Sequence, residues 1–221
     1  MAKILDMEAF VVKLYDVEGL KFGDFQMRTG EHTPVYIDMR VIWSYPDLVK
    51  TVCESIMRVI EEKGLKYDSL CGLPYQGIPI ASYLCATYNI PMLLKRKVQK
   101  TWATKQTMEG HFKVNDKVVI VDDVVMTGGC LFDDIPYFRD QGLAVTDAVV
   151  FFDREQGGIE RISHIYNVKV HSVLTLSEAF EYLLKADKIS LDIVQKTKKY
   201  LQENRFDTQQ YLSVNGVSQG E

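Results

Sequence analysis

No apolar run in the sequence approaches the ~18 residues that a membrane-spanning helix needs, so no membrane association is expected. Cysteine is scarce. Cys53, Cys71, Cys85 and Cys130 include no CxxC pair, and three of the four lie in apolar contexts. That usage predicts reduced core thiols in a cytoplasmic protein, not a disulfide framework. The histidines, His32, His111, His164 and His171, have no ligand spacing, so no structural metal is expected. Positive charge is not in excess: 26 Lys and Arg stand against 30 Asp and Glu, a net charge of −4, which argues against a general nucleic-acid binder. The sequence has no internal repeat and no linker-like stretch. It therefore reads as one domain over residues 1–221, with a core from about 20 to 203. Residues 204–221, containing Gln, Ser and Gly, read as a loosely ordered tail. The first residues, MAKILDMEAF, carry acids and read as a capped helix, not a signal peptide.

What is present suffices for a real core: 47% hydrophobic and 25% charged residues are ordinary for a globular chain. Apolar spacing predicts a helix over about Leu5 to Val17, then two short strands within Leu20 to Arg40. A helix follows from Pro46 to Lys63, with Pro at its first turn. Strand Ser69 to Gly72, helix Ile78 to Tyr88 and strand Pro91 to Leu94 come next. Further strands are expected over Val118 to Val121, Val145 to Phe152 and Val168 to Leu174. Helices are expected over Cys130 to Gln141, Leu176 to Lys185 and Leu191 to Glu203. Alternating strands and helices imply an α/β fold with a mostly parallel sheet flanked by helices.

The chain is organised around VVIVDDVVMTGGC, Val118 to Cys130. Its four β-branched residues read as a strand buried on both faces. Asp122 and Asp123 follow, then Val124, Val125, Met126, a turn of Thr127, Gly128 and Gly129, and a helix from Cys130. Glycines let backbone N–H groups approach an anion, and a helix N-terminus adds positive potential, so the turn suits a phosphate. The carboxylates suit sugar hydroxyls, a metal, or positive charge that develops during a reaction. The competing reading is a plain strand-to-helix turn in which an aspartate only caps the helix.

Lys95 to Lys105, KRKVQKTWATK, holds five basic residues and no acid. A polar run inside a compact domain reads either as a solvated loop or as a mobile lid carrying cations onto an anionic substrate. Strand Val145 to Phe152 ends in DREQGG, placing Arg154 at a strand's carboxyl end. Taken alone, Arg154 pairs Asp153 or Glu155 on the surface, and Tyr36 packs as a strand aromatic. Lys95, Lys105, Lys113 and Arg161 read as solvated, and Met126 as core.

Val118 to Cys130 resembles the phosphoribosyl-pyrophosphate signature of type I phosphoribosyltransferases. LKFGDF with GEHTPVYIDMR, CGLPYQGIPIA, RKVQK and FFDREQGG resemble the orotate phosphoribosyltransferases in particular, above all the N-terminal half of the animal bifunctional UMP synthases. The resemblance runs from Leu20 to about Glu203, and the chain stops where a decarboxylase half would begin. It implies the type I fold with a small N-terminal strand-containing hood and a lid loop. It implies transfer of a 5-phosphoribosyl group from phosphoribosyl pyrophosphate to orotate, giving orotidine 5′-monophosphate and pyrophosphate in pyrimidine biosynthesis, with Mg²⁺ held mainly through the pyrophosphate.

Carried onto this sequence, the family's roles put Asp122 and Asp123 on the ribose hydroxyls. They put Arg28, Tyr75, Gln76, Arg96, Lys97, Lys100 and Trp102 on the pyrophosphate and its lid, with Lys100 closing over the leaving group. Val124, Val125, Met126, Thr127, Gly128, Gly129 and Cys130 form the phosphate turn. Tyr36, Ile37, Met126 and Arg154 match orotate-binding positions. The lid of family members reaches a neighbouring subunit, so a homodimer is implied. Family members usually have Thr at the position of Met126 and a hydroxyl residue at that of Gly129. Arg28 and Gln76 each stand where a Lys is common, Gln76 in bacterial relatives, and Trp102 stands where His or Tyr does. A thioether is a poor acceptor and no useful donor. That departure motivates a second reading, a weakened or inactive member of the fold that binds nucleotide or phosphoribosyl pyrophosphate as a regulator.

Overall fold

A computed structural model describes residues 6–26, 30–97 and 107–215. Helix α1 (Met7–Asp16) starts at Asp6, whose side chain accepts from Ala9 N. It leads into a two-stranded antiparallel hood, β1 (Leu20–Gln26) and β2 (His32–Ile37). A 3-10 turn, Met39–Ser44, joins the hood to α2 (Pro46–Glu62). The main body then alternates: β3 (Ser69–Gly72), α3 (Gly77–Tyr88), β4 (Met92–Lys95), β5 (Met108–Glu109), β6 (Val118–Val125), α4 (Gly129–Asp140), β7 (Asp147–Asp153), α5 (Gly158–Tyr166) and β8 (Lys169–Thr175). Three helices close it, α6 (Leu176–Lys185), α7 (Leu191–Glu203) and α8 (Thr208–Asn215).

The six main strands lie in the order β5-β4-β3-β6-β7-β8, all parallel except β5, which runs antiparallel to β4. Side chains alternate between the two faces of β6. Val119 and Val121 pack with Phe10 and Leu14 of α1, Ile56 of α2, Ile80 of α3 and Phe180 of α6. Val118 and Ile120 pack with Leu131, Ile135 and Phe138 of α4 and Ile162 of α5. Both faces are covered by helices, which is why the strands read as unbroken β-branched runs.

Several elements differ from expectation. The short β5 pairs with β4 at Leu94↔Glu109 and Lys95↔Met108, so the two ends of the basic run form a hairpin base. Residues 98–106, most of the expected lid, lie outside the described residues. Helix α5 and the 3-10 turn were not among the expected elements, although Ile159, Ile162 and Tyr166 of α5 recur at helical spacing. The expected loose tail is in part a packed one: α8 is helical, and Phe206 and Tyr211 lie over the Arg161 guanidinium. Aromatic burial outweighs the polar composition of that segment. No helix among the described residues is long and apolar enough to cross a membrane.

Candidate active site

β3 ends at Gly72, which pairs with Val121, but β6 runs on to Val125 beside β7. Residues 122–125 therefore have a strand neighbour on one side and an open crevice on the other. That crevice lies where the strand order switches direction, the usual ligand position in open α/β sheets. The expected strand end at Val121 is corrected here. Asp122 pairs with Val150 and Val124 with Phe152, so the ladder with β7 continues through the acidic pair.

Successive Cβ atoms alternate across β6, yet the two carboxyls stay within hydrogen-bond reach of each other. Asp122 is buried and lines a cavity of ≈ 230 Å³ together with Val124, Val125, Met126, Thr127, Gly128, Gly129, Cys130, Leu131 and Val150. Asp123 is half-buried and feels the charge of Asp38 in the hood connection. Burial, then the charge of Asp123, holds the Asp122 carboxyl well above the ordinary carboxylate range. Burial also raises Asp123, opposed by the N–H of Val124.

The floor of the cavity is the start of α4. Its N-cap is Gly128, at φ 75, and no side chain caps the helix. First-turn N–H groups without a cap, at the positive end of a helix dipole, favour an anion. The turn is braced from behind. Gly158 N donates to Met126 O at 3.0 Å, and a Cβ on Gly158 would fall 2.5 Å from Met126 O and 2.6 Å from Gly128 N. Any side chain at 158 would push the turn off α5.

The surroundings of Arg154 overturn its isolated reading. It is 2% exposed and pairs neither Asp153 nor Glu155. Nη2 donates to Thr33 Oγ1 at 2.9 Å and to Val35 O at 3.4 Å, and Nη1 donates to Met126 Sδ at 3.4 Å. Nε is buried without a partner among the described residues. Burial holds the guanidinium below its usual range. A buried cation met by neutral acceptors alone is an electrostatic vacancy for a carboxylate. It also links the end of β7, the hood and the turn at Met126 in one contact set.

On β2, Tyr36 is half-buried, its hydroxyl accepting from Arg40 Nη2 at 3.0 Å, while Ile37 packs against the large core. Arg40 in turn grips Asp38 at 2.6 Å, which lowers the Asp38 carboxyl and raises the Arg40 guanidinium. Across the crevice, the turn after β3 is tight: a Cβ on Gly72 would sit 2.0 Å from Gly77 O, and one on Gly77 2.2 Å from Val121 O. Tyr75, after a cis Pro74–Tyr75 peptide, is 64% exposed. Lys97 Nζ stands 5.2 Å from the Tyr75 ring centre. Gln76 Oε1 accepts from Trp43 Nε1 at 2.7 Å, so this side chain faces a tryptophan that sequence reasoning had not singled out. Arg96 pairs Glu109 at 2.9 Å. Arg28, Lys100 and Trp102 lie outside the described residues.

Two lysine and arginine expectations are corrected. Lys95 is not solvated: its ammonium pairs Asp134 at 2.8 Å with both side chains largely covered, and lies over Tyr137. Arg161 is sandwiched between Phe132 and Phe206 and donates to Thr127 O at 3.0 Å. No group of three or more His, Cys, Asp or Glu able to hold a metal occurs among the described residues.

The sequence pattern of the phosphoribosyl transferase domain matches residues 44–183. The chain belongs to the phosphoribosyltransferase family and has the type I fold, with a mostly parallel sheet and a small antiparallel N-terminal hood. Within that family it is similar to uridine 5′-monophosphate synthase of Bos taurus, 39% identical over 198 residues, which are 90% of this chain and 41% of that protein. It is also similar to orotate phosphoribosyltransferase of Caenorhabditis elegans, 33% identical over 181 residues, covering 82% of this chain and 79% of the relative. Among solved structures, Leishmania donovani UMP synthase superposes with a TM-score of 0.79 at 28% identity, covering 90% of this chain and 42% of that one. The chain thus spans under half the length of the bovine and Leishmania proteins.

Proposed function

We propose that this chain transfers the 5-phosphoribosyl group of phosphoribosyl pyrophosphate to orotate, giving orotidine 5′-monophosphate and pyrophosphate. The observation that carries the reading is the cavity joining Asp122, the uncapped start of α4 and, through Met126, a buried arginine with no acid partner among the described residues. The names of the relatives support it.

In this reading the 5′-phosphate sits on the N–H groups of residues 127–130. Asp122 and Asp123 accept from the ribose hydroxyls and, once ionised, stabilise positive charge on the ribose as the bond from its anomeric carbon to the pyrophosphate oxygen breaks. The electron pair leaves with pyrophosphate. A ring nitrogen of orotate supplies the pair for the new bond, and its proton passes to solvent. Arg154 binds the orotate carboxylate, a planar acceptor suited to a guanidinium. Tyr36 and Ile37 form the hood side of the base site. Arg96, Lys97 and Lys100, with Tyr75, Gln76, Arg28 and Trp102, receive the pyrophosphate and exclude water.

The acidic donors at the crevice are carboxylate oxygens, which fit Mg²⁺ sharing its remaining ligands with substrate phosphates and water. Held mainly through the substrate pyrophosphate, Mg²⁺ would supply charge neutralisation for that leaving group. A homodimer with a shared lid and a cytoplasmic location complete the proposal; three buried thiols suit a reducing compartment.

Loss of orotate absorbance in the presence of phosphoribosyl pyrophosphate and Mg²⁺ is the expected result. Folded protein that gives no turnover, where a known relative does, would end the reading. One observation favours the second reading, a binding regulator: Met126 puts a thioether in the turn after β6, where the family resemblance implies a Thr, and it engages Arg154. Calorimetric binding without turnover would select that alternative. Sedimentation of the free chain tests the dimer.

A further inference from the structure

The segment after α7 does more than end the chain. Asn204 O accepts from Gln156 Nε2 at 3.1 Å, Phe206 N donates to Gln156 O at 3.0 Å, and Arg205 pairs Glu160 at 2.5 Å. These contacts fix Phe206 against the start of α5. There the guanidinium carbon of Arg161 lies 4.2 Å from the Phe206 ring centre and 4.1 Å from that of Phe132, with the Tyr211 ring at 5.9 Å. Phe132 belongs to α4, so the stack ties α4, α5 and the C-terminal segment together. A guanidinium between two rings keeps its plane, so the direction of each in-plane donor is fixed.

One of those donors, Nη1, meets Thr127 O at 3.0 Å. The peptide from Thr127 to Gly128 is trans, so fixing its carbonyl toward Arg161 turns the Gly128 N–H the opposite way. Arg161 lines no part of the cavity, yet it sets the orientation of a peptide plane in the turn that does.

We infer that Arg161 is a positioning residue for phosphoribosyl pyrophosphate, and that residues 204–215 serve the site by clamping its guanidinium between Phe132 and Phe206. Arg161 acts through Thr127 and touches no substrate. The C-terminal segment, outside the matched family region of 44–183, thereby becomes part of the substrate machinery. This rests on the reading of residues 126–130 as the phosphate turn.

The test compares Arg161→Met, which keeps apolar packing without a donor, with Arg161→Lys, which keeps a donor, and Phe206→Leu, which loosens the stack. All are made in the full chain. Losing one net hydrogen bond predicts that Arg161→Met raises KM for phosphoribosyl pyrophosphate by about tenfold and KM for orotate by less than about twofold. Arg161→Lys should recover most of the loss. Amide exchange over 126–130 should quicken in Arg161→Met and Phe206→Leu. A rise shared equally by both substrates, or unchanged KM for phosphoribosyl pyrophosphate, would overturn the inference. So would wild-type exchange rates in both variants, a measurement that needs no turnover. A wild-type chain inactive with orotate would instead defeat the functional reading and leave the exchange comparison to decide this one.

Discussion

Replacing Arg154 by methionine separates stability from recognition. In the free protein Arg154 is 2% exposed and its guanidinium meets Thr33 Oγ1, Val35 O and Met126 Sδ, with no carboxylate among the described residues. A methionine of comparable length removes the uncompensated charge and leaves no new orphan. Thr33 Oγ1 also donates to Val35 O at 3.0 Å, so each keeps a partner. Exchanging buried ionic groups for well-packed apolar ones is neutral or stabilising by ~1–4 kcal/mol. Each kcal/mol moves the melting temperature of a chain this size by about 2–4 °C. Arg154→Met should therefore melt at or above the wild-type temperature. Orotate loses charge-assisted hydrogen bonds worth ~1.5–3 kcal/mol, so its KM should rise by about 10- to 150-fold. KM for phosphoribosyl pyrophosphate should stay near wild type. Thermal melts with and without orotate, paired with steady-state kinetics, make the measurement. A variant that melts several degrees lower, or binds orotate as before, would show that Arg154 is a strut and not a ligand for the base.

Three further outcomes are expected. Met126→Thr should strengthen binding of phosphoribosyl pyrophosphate by up to about tenfold through one hydroxyl donor, measured by calorimetry; unchanged or weaker binding would mean that Thr127 and the backbone already suffice. Asp122→Asn should abolish most turnover yet melt higher than wild type at neutral pH. The Asp122 carboxyl is raised by burial and by Asp123, so its contribution to stability is full below the unfolded value and is lost as pH rises through the folded one. The two melting curves should converge near pH ~4, where unfolded aspartates protonate, and an advantage for the wild type at high pH would contradict the assignment. Cys130 is the exposed one of the four cysteines and lines the cavity. Phosphoribosyl pyrophosphate should therefore slow its alkylation, followed by mass spectrometry above pH ~9, because partial desolvation of the sulfur at the cavity wall and the neighbouring Asp122 charge raise the thiol; equal rates with and without substrate would place the ligand elsewhere.

The sheet was legible because its strands are buried on both faces, and β-branched runs such as Val118 to Val121 carry that environment in composition alone. The turn after β6 was legible because glycine and helix onset sit together in sequence. The strand end after Val121 was misread because aspartate is rare in a strand interior; continued pairing with β7 decides it. The surroundings of Arg154 were illegible, since Thr33 lies 121 residues earlier and no local pattern records the contact. Lys95 and Arg161 were misread for a related reason. Each is solvated by default, and each is covered by aromatic rings that only tertiary packing supplies.

The bare start of α4 has a consequence for anyone who engineers this chain. Stabilising a protein commonly begins with helix caps, where Ser, Asp or Asn at the N-cap contributes ~1 kcal/mol. Gly128 is the N-cap position without such a side chain, and a Cβ there would stand 3.0 Å from Gly158 O. A capping carboxylate would also occupy the N–H groups proposed for the substrate phosphate. Screens that select on thermal tolerance alone will be drawn toward caps at helix starts. Here they meet a position where the positive φ and close packing favour glycine and where a cap would compete with the proposed phosphate, so libraries should hold residues 126–130 fixed and seek their gains at other helix termini.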